Sequence, residues 1–413
     1  MDNPRTIAPR ERLAALADDG RFAEHDAVVP SPHLARFGIA AQDDDGVVAA
    51  TLAIDGRAFE VVAQDARFLG GSAGERHAAK IAAAIGRARA TGRPLLILAA
   101  SGGVRLHEAN AAELALARAL RALCDARAAG LATFALGVGD VFGGMSVMAA
   151  ACGALALTPH ARFGLSGPRV IAQARGPGEV DPQDHAAIDA LFGAAARARD
   201  GIATLVADDP DAVRAWLRAS GGVAAPFADD LARVQARLLR DAPGDASAII
   251  IAVRGAHATL PAFDREVDAA RVVAADAVLL ALPRVVDTLV IVEDSRGHEA
   301  SAGAERVALS RFLAHHALVL AALRARGVTI VGVVTGVGHS AAFFANALQA
   351  DRLYALPASR IVAMEAQALA RVIGMDAGLI ARAVEDDPLL GHPARHFAAL
   401  GGLALVDAVS DAR

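Results

Sequence analysis

Two long uncharged stretches constrain the fold of this 413-residue chain more than any other feature. Val141 to Ala161 and Gly327 to Ala350 contain no Asp, Glu, Lys or Arg. Each belongs to the same succession of strand, glycine turn, Ala-rich helix, short strand and arginine. When the two halves are aligned at an offset of 198 residues, Arg162 aligns with Arg360 and Phe134 aligns with Gly332. An internal repeat of this size predicts two domains of one architecture.

The repeat extends upstream, where strands alternate with helices in both halves. A predicted strand from Leu95 to Ala100 precedes a helix from Ala112 to Ala129, and Thr288 to Val292 precedes a helix from Arg306 to Arg326. Such alternation favours parallel strands joined by crossover helices. We therefore expect an α/β protein with two domains, 1–240 and 241–413, related by a pseudo-two-fold axis. The best linker is Asp241 to Asp245.

Either uncharged stretch is long enough for a membrane span. Paired glycines and the change from β-branched to Ala-rich composition instead favour a buried strand, a turn and a buried helix. No signal peptide is recognisable at the charged N-terminus, so we expect a cytoplasmic protein without a membrane role.

Charge and rare residue types exclude several classes of function. The formal charge of −5 argues against a nucleic-acid binder. Two cysteines cannot form a disulfide framework or a Cys-rich zinc site, and the adjacent His315 and His316 point in different directions on a helix. We predict no metal. Lys80 is the single lysine, and we expect it on a helix surface, which leaves little room for Schiff-base chemistry.

Glycines follow several predicted strands of the first half: Gly70 and Gly71, then Gly102 and Gly103, then Gly143 and Gly144. Glycine allows a tight turn and lets a ligand approach the backbone. The last pair also opens an Ala-rich helix, whose free amides suit an anion or a developing oxyanion. For any single turn, close helix packing explains the glycines equally well. Three such strand ends in one domain favour a shared site.

Several motifs resemble the β subunit of biotin-independent malonate decarboxylase. They are Gly70-Gly71-Ser72-Ala73-Gly74-Glu75, Gly102-Gly103-Val104-Arg105-Leu106-His107-Glu108-Ala109-Asn110, Phe142-Gly143-Gly144-Met145 and Phe163-Gly164-Leu165-Ser166-Gly167-Pro168. From about Ala246 the chain resembles the γ subunit, so it looks like a β–γ fusion. The resemblance implies a crotonase-like, carboxyltransferase-type fold in both halves. It also implies decarboxylation of a malonyl thioester to the acetyl thioester.

The resemblance further implies the substrate carrier and the partners. The carrier would be an acyl carrier protein with a phosphopantetheine-type arm, or CoA, and no biotin, metal or permanently bound cofactor would be needed. The partners would be the acyl carrier protein subunit and the carrier transferase subunit of a malonate decarboxylase complex, with a homo-oligomer as a further option. The second half departs from the family where Ala341 replaces a glycine and where a loop reads Arg296-Gly297-His298.

Loss of CO2 from a malonyl thioester leaves an enolate, and one well-placed donor stabilises such charge by about 2.7–4 kcal/mol. We expect the donors on the loop Gly102-Gly103-Val104 and at Gly143-Gly144, in a site between the two halves. The enolate carbon must also take a proton, for which His298 and His339 are candidates and Glu108 and His107 are alternatives. The predicted substrate-binding residues are Gly70, Gly71, Arg105, Gly167, Gly297, Gly338 and Ser340.

Arginines near these glycines could hold a carboxylate or the phosphate of the carrier arm; they are Arg105, Arg169 and Arg296. Two other functions compete with decarboxylation. One is the carboxyltransferase of a biotin-dependent acyl-CoA carboxylase. The other is a degenerate subunit that binds acyl thioesters without turnover, which the changes in the second half favour.

Overall fold

A computed structural model describes residues 7–220, 227–242, 249–263 and 265–412. The fold is mixed α/β. The strands described in the first half are β1 (Phe22–His25), β2 (Val47–Ile54), β3 (Arg57–Gln64), β4 (Leu95–Ser101), β5 (Thr133–Val141), β6 (Ala154–Leu157), β7 (Arg162–Phe163) and β8 (Thr204–Leu205). The helices are α1 (Pro9–Leu16), α2 (Glu75–Thr91), α3 (Ala109–Ala128), α4 (Gly144–Ala151), α5 (Pro168–Arg175), α6 (His185–Phe192), α7 (Ala194–Arg199), α8 (Pro210–Ala219) and α9 (Phe227–Asp241).

The sheet of the first half runs in the order β1-β2-β3-β4-β5-β6-β8, with β7 paired to β5. Strands β2 and β3 form an antiparallel hairpin at Asp55-Gly56, where both residues have positive φ as a two-residue hairpin turn requires. From β3 onward the pairs are parallel. Every residue of β4 is buried, as expected for a central parallel strand covered on both faces.

The second half has its own sheet, in the order β16-β14-β12-β11-β10-β9, and a two-stranded sheet of β13 and β15. Its described strands are β9 (Ala252–Arg254), β10 (His257–Leu260), β11 (Thr288–Glu293), β12 (Thr329–Val334), β13 (Val337–His339), β14 (Arg352–Ala355), β15 (Arg360–Val362) and β16 (Ala404–Leu405). Its helices are α10 (Ala269–Leu280), α11 (Ala302–Arg306), α12 (Leu309–Ala325), α13 (Ser340–Ala345), α14 (Ala366–Ile373), α15 (Ala377–Asp386) and α16 (Ala394–Ala399).

The strand pairings refine the offset of the repeat by one residue. Phe134 pairs with Ala154 in the first half, whereas Val331 pairs with Arg352 in the second. The central strands are therefore related by 197 positions and the following short strands by 198. Phe134 corresponds to Val331 rather than to Gly332, because the segment between the paired strands is one residue longer in the second half.

Three local predictions need correction or lie partly outside the description. The predicted helix from Arg306 to Arg326 corresponds to α12, which begins only at Leu309, after Ala308 with its φ of +53°; Arg306 ends the preceding short helix α11. Lys80 is buried rather than exposed, and its Nζ donates to the carbonyl oxygen of Asp44 at 3.2 Å. Within the predicted linker, 243–245 lie outside the described residues, and the domain boundary stays a prediction.

The two halves share one apolar core. It includes residues of α3 and α4 from the first half together with residues of α12 and α13 from the second. Leu116 of α3 and Phe344 of α13 both lie against Gly144, at the start of α4. Among the described helices, none has both the length and the apolar composition needed to cross a membrane.

Candidate active site

A cavity of about 500 Å³ lies between the two halves. Its wall in the first half includes residues that directly follow β4 and β5, at the carboxyl ends of parallel strands where α/β sheets bind ligands. From the predicted site the structure brings together Gly102, Gly143, Gly144, Gly167, His298 and Ser340 on this wall. Val104, Ala341 and Phe344 also line it.

The two glycine loops of the first half touch each other beside this cavity. Gly103 has φ of +103°, and a Cβ added there would lie 3.2 Å from Cα of Gly143. Gly143 has φ of +58°, and a Cβ added to it would lie 3.1 Å from Cα of Gly103. Both conformations disfavour a side chain. The glycines are therefore required for the loops to approach, which brings the residue after each glycine to the cavity.

Hydrogen bonding separates the predicted oxyanion donors into occupied and open amides. Three amides are occupied. The Gly102 amide donates to Gly70 O at 3.0 Å, the Gly103 amide donates to Ser101 Oγ at 3.1 Å, and the Gly143 amide donates to Leu165 O at 2.9 Å. Within the described residues, the amides of Val104 and Gly144 have no acceptor. Gly144 is the first residue of α4, where an amide has no partner inside the helix. The open donors are thus Val104 and Gly144.

The second half presents different residue types at the corresponding positions. An isolated parallel bridge joins Ala73 to Val104, and another joins Val267 to His298, so His298 occupies the position of Val104. The strand register places Ser340 at the position of Gly143. Ser340 has φ of +53°, a left-handed conformation that costs a non-glycine residue energy. The second half therefore has a polar side chain at both positions, where the first half has a valine and a glycine.

His298 is partly buried and lines the cavity. Its Nε2 lies 3.0 Å from Ser166 Oγ, and its Nδ1 has no hydrogen-bond partner in the part of the chain that is described. Burial lowers the pKa of His298 to about 4, so the imidazole is neutral near pH 7. A neutral imidazole can orient a substrate or accept a proton, but it is a poor proton donor for the enolate.

His339 does not line this cavity. Its Nδ1 lies 3.1 Å from the carbonyl oxygen of Arg296, and its ring packs against Gly297. A Cβ added to Gly297 would lie 2.8 Å from that Nδ1, so the glycine makes room for the ring. Of the two predicted histidines, the structure brings only His298 to the site.

Arg105 does not line the cavity, although Val104 and Leu106 do, because a buried ionic cluster holds its guanidinium. Its Nη1 donates to Asp45 at 2.6 Å and to Glu108 at 2.9 Å, and all three side chains are fully buried. Glu108 also accepts from the Ser31 hydroxyl at 2.7 Å and from the Glu75 amide at 2.7 Å. The cluster connects distant loops of the first half, and its charges are already paired.

Of the remaining predicted residues, most lie off the cavity wall. His107 packs edge-on against the Phe37 ring. Three of the predicted glycines have a packing or turn role. The Gly70 carbonyl accepts a hydrogen bond from the Gly102 amide. A Cβ added to Gly71 would lie 1.8 Å from Ala100 O, and one added to Gly338 would lie 2.8 Å from the Phe343 ring. Arg169 lines the cavity, whereas Arg296 does not.

Glu305 of the second half holds a loop of the first half, a contact that the sequence did not reveal. Its carboxylate accepts from the amide of Leu165 at 3.1 Å and from that of Ser166 at 2.6 Å. Arg197 lies 3.5 Å from the same carboxylate and donates to the carbonyl oxygen of Phe163 at 2.8 Å. Both charged side chains are fully buried. This clamp places Leu165 and Ser166 on the cavity wall.

Glu113 is a second residue that sequence reasoning missed. It lies in α3, is 2% exposed and lines the cavity, and its Oε2 has no hydrogen-bond partner among the residues described. Burial raises the pKa of Glu113 to about 8. The available signal was a single acidic residue on an otherwise apolar stretch, from Ala111 to Leu116. In the described residues, no group of three His, Cys, Asp or Glu side chains is placed to hold a metal ion.

Residues 5–224 match the model of the carboxyl transferase domain. The chain therefore belongs to the carboxyl transferase domain family. Residues 266–410 match a second model, that of the malonate decarboxylase gamma subunit. The chain is thus a fusion of the β and γ type found in malonate decarboxylase, with both parts in one polypeptide.

Individual relatives agree with these matches. The malonyl-S-ACP:biotin-protein carboxyltransferase MADC of Malonomonas rubra is 36% identical over 199 residues, which are 43% of this chain and 62% of that protein. The acetyl-coenzyme A carboxylase carboxyl transferase subunit beta of Fusobacterium nucleatum is 33% identical over 40% of this chain and 59% of its own length. The chain thus spans about 60% of these curated relatives.

A solved structure of a Pseudomonas malonate decarboxylase hetero-tetramer with malonate superposes with a TM-score of 0.51 and 36% identity. The superposition covers 57% of this chain and 91% of that one.

Proposed function

We propose that this protein decarboxylates a malonyl thioester to the acetyl thioester, acting as a carboxy-lyase. The observation that carries the proposal is the pair of open amides, Val104 and Gly144, on a cavity shared by both halves. Relatives of this chain act on malonyl carriers or belong to malonate decarboxylase, which supports the substrate class.

The main requirement of the reaction is stabilisation of the negative charge that develops on the thioester oxygen. The bond between the carboxylate carbon and the methylene carbon breaks, CO2 leaves, and the electron pair moves onto the thioester oxygen. Two amides aimed at that oxygen stabilise the enolate, each by about 2.7–4 kcal/mol. A proton then adds to the methylene carbon, so that one proton is consumed for each CO2 released.

The substrate carrier is proposed to be the phosphopantetheine-type arm of an acyl carrier protein, with CoA as the simpler carrier of the same chemistry. The partners are then the acyl carrier protein and a carrier transferase, and the Pseudomonas hetero-tetramer supports the presence of partner subunits. A homo-oligomer remains compatible with the same site. Both cysteines are free thiols, which supports a cytoplasmic location.

The two halves are proposed to be crotonase-like domains related by a pseudo-two-fold axis. Equivalent isolated bridges support this: Arg162 pairs with Gly193, and Arg360 pairs with Pro393. Both bridges are antiparallel, and each starts from the arginine that the repeat aligns. Superposing the two halves in an experimental structure tests the proposal, and a rotation far from 180° would contradict it.

Transfer of the carboxyl group to biotin is the second candidate, because the two curated relatives described above are carboxyltransferases. The two reactions share the enolate but differ in where the carboxyl group goes. In decarboxylation it leaves as CO2, and in transfer it passes to biotin on a partner.

Heavy water distinguishes these reactions. Purified protein is given malonyl-CoA or a malonyl-carrier in D2O, without biotin. Decarboxylation releases CO2 and puts one solvent deuterium into the acetyl methyl group of product sampled before its methyl protons exchange, and avidin has no effect. If release of CO2 requires a biotinylated partner, carboxyl transfer is the function. If the malonyl thioester binds but neither CO2 nor deuterated product forms under any condition, the protein is a binding subunit.

A further inference from the structure

We infer that Glu113 is the acid that protonates the enolate carbon, a role that rests on the proposed function. The side chain lines the same cavity as Val104 and Gly144, the two residues whose amides are open. Its Oε2 is buried and has no partner among the residues described, so nothing else in the described chain holds its proton. A buried polar atom without a partner is costly and calls for an explanation by function.

The surroundings of Glu113 keep it protonated. Burial is the sole cause of its raised pKa, about 8, and no charged group contributes. An acid with a pKa near the working pH is the most effective general acid. The other ionisable side chains on the cavity wall are Asp140, Arg162, Arg169, His185 and His298. Of these, His298 is neutral near pH 7, and Arg162 is paired with Asp189 at 2.7 Å.

The step balances without any co-reactant. The O–H bond of neutral Glu113 breaks and a C–H bond forms at the methylene carbon of the enolate. The thioester carbonyl is restored and Glu113 is left as a carboxylate. Solvent returns a proton to that carboxylate before the next turnover. The reverse step uses the carboxylate as a base to remove a methyl proton from an acetyl thioester.

These two directions predict opposite dependence on pH. Decarboxylation needs the neutral acid, so its rate falls as pH rises above about 8. Exchange of the methyl protons of acetyl-CoA with D2O needs the carboxylate, so its rate rises through the same pH. A residue with a merely structural role would not produce two mirrored profiles with one midpoint.

The test compares wild type with Glu113→Gln, in which an amide of the same shape replaces the acid. We expect decarboxylation to fall by about 100-fold or more, the range of general acid catalysis. Proton exchange is lost, and the fall of the residual decarboxylation rate above pH 8 disappears. Glu113→Asp restores part of both rates with the mirrored profiles. Glu293→Gln is the matched control: it also changes a buried carboxyl with a raised pKa, but it lies off the cavity.

Folding is followed separately by thermal unfolding. The pKa of Glu113 is raised in the folded state, so the wild-type free energy of unfolding falls as pH rises from about 4.5 towards 8. Glu113→Gln removes that fall, and its Tm relative to wild type increases over this range. An unchanged rate and profile in a folded Glu113→Gln protein overturns the inference and leaves the proposed function intact. The same losses in Glu293→Gln also overturn it, and an inactive wild type overturns both proposals.

Discussion

The two glycine turns of this chain occupy equivalent places but expose different chemistry to the same cavity. In the first half Gly143 and Gly144 present backbone, and the amide of Gly144 is open. In the second half Ser340 and Ala341 stand at these positions, and His298 replaces Val104. Under the proposed function, the first half is thus suited to stabilising an oxyanion and the second half to shaping the cavity.

The two halves also depend on each other at the cavity that both of them line. Glu305 of the second half fixes the loop of the first half that carries Leu165 and Ser166. The carbonyl oxygen of Leu165 in turn accepts the Gly143 amide, which leaves Gly144 as the open donor of its turn. A buried carboxylate in one half therefore holds the loop that occupies the Gly143 amide of the other half.

The largest expected effect is loss of this clamp. Glu305→Ala leaves the Leu165 and Ser166 amides and the Arg197 guanidinium unpaired in the interior. Breaking a buried pair in this way costs about 3–5 kcal/mol of unfolding free energy, measured by urea denaturation. Glu266→Ala is the matched control, because Glu266 also pairs with an arginine of the first half, Arg175, but at the surface. That exposed pair is worth less than about 1 kcal/mol.

Equal losses in the two variants would show that the buried clamp is no stronger than a surface ion pair. The conclusion that Glu305 of the second half holds the cavity loop of the first half would then be wrong. Decarboxylation by Glu305→Ala, measured under conditions where it is folded, should fall as well, because the Gly143 amide loses its fixed acceptor.

The second prediction removes the open donor of the first half directly. Gly144→Pro deletes the amide hydrogen at the first position of a helix, where proline is tolerated. The loss of one oxyanion donor should lower kcat by about 100- to 1,000-fold. Gly144→Ala is the control, since it adds a Cβ, 2.9 Å from the flexible end of Leu116, and keeps the amide. Equal activity of the two variants would remove Gly144 from the mechanism.

The sequence predicted the mixed α/β fold because the alternation of strands with helices, and the glycines after the strands, are patterns that can be read locally. It did not predict which amides are open, because the acceptors of Gly102 and Gly143 come from Gly70 and Leu165, which only folding brings near. Arg105 was misjudged for the same reason: its partner Asp45 lies 60 positions away. Glu113 carries no motif, and only its burial against a cavity distinguishes it from an ordinary helix glutamate.

The third prediction makes the second half resemble the first. His298→Val copies the residue at the corresponding position, Val104, and removes the contact between Nε2 and Ser166 Oγ. A hydrogen bond of this kind is worth about 0.5–1.5 kcal/mol, so kcat/KM should fall by up to about tenfold. Because burial holds the pKa of His298 near 4, the loss should be constant from pH 6 to pH 8.

His298→Gln is the control for this variant, since its amide can still bond Ser166, and it should recover most of the loss. A loss that grows as pH falls through 6.5 would mean that His298 acts as a cation. The neutral role given to it would then be wrong.

The smallest expected effect concerns the strained backbone of the second turn. Ser340 has φ of +53°, where Gly143 has +58° in the first half. Ser340→Gly relieves about 1–2 kcal/mol of strain in the folded state. The glycine also increases the conformational entropy of the unfolded chain, which lowers the free energy of unfolding by about 0.4–1 kcal/mol. Urea denaturation should therefore show a net gain of about 0.5 kcal/mol. Ala308→Gly, at the same φ but away from the cavity, should gain a similar amount without altering kcat. A loss of stability in Ser340→Gly alone would mean that the contacts of the serine side chain stabilise the fold by more than its backbone strain costs. The serine in the second turn would then be explained by its side-chain contacts.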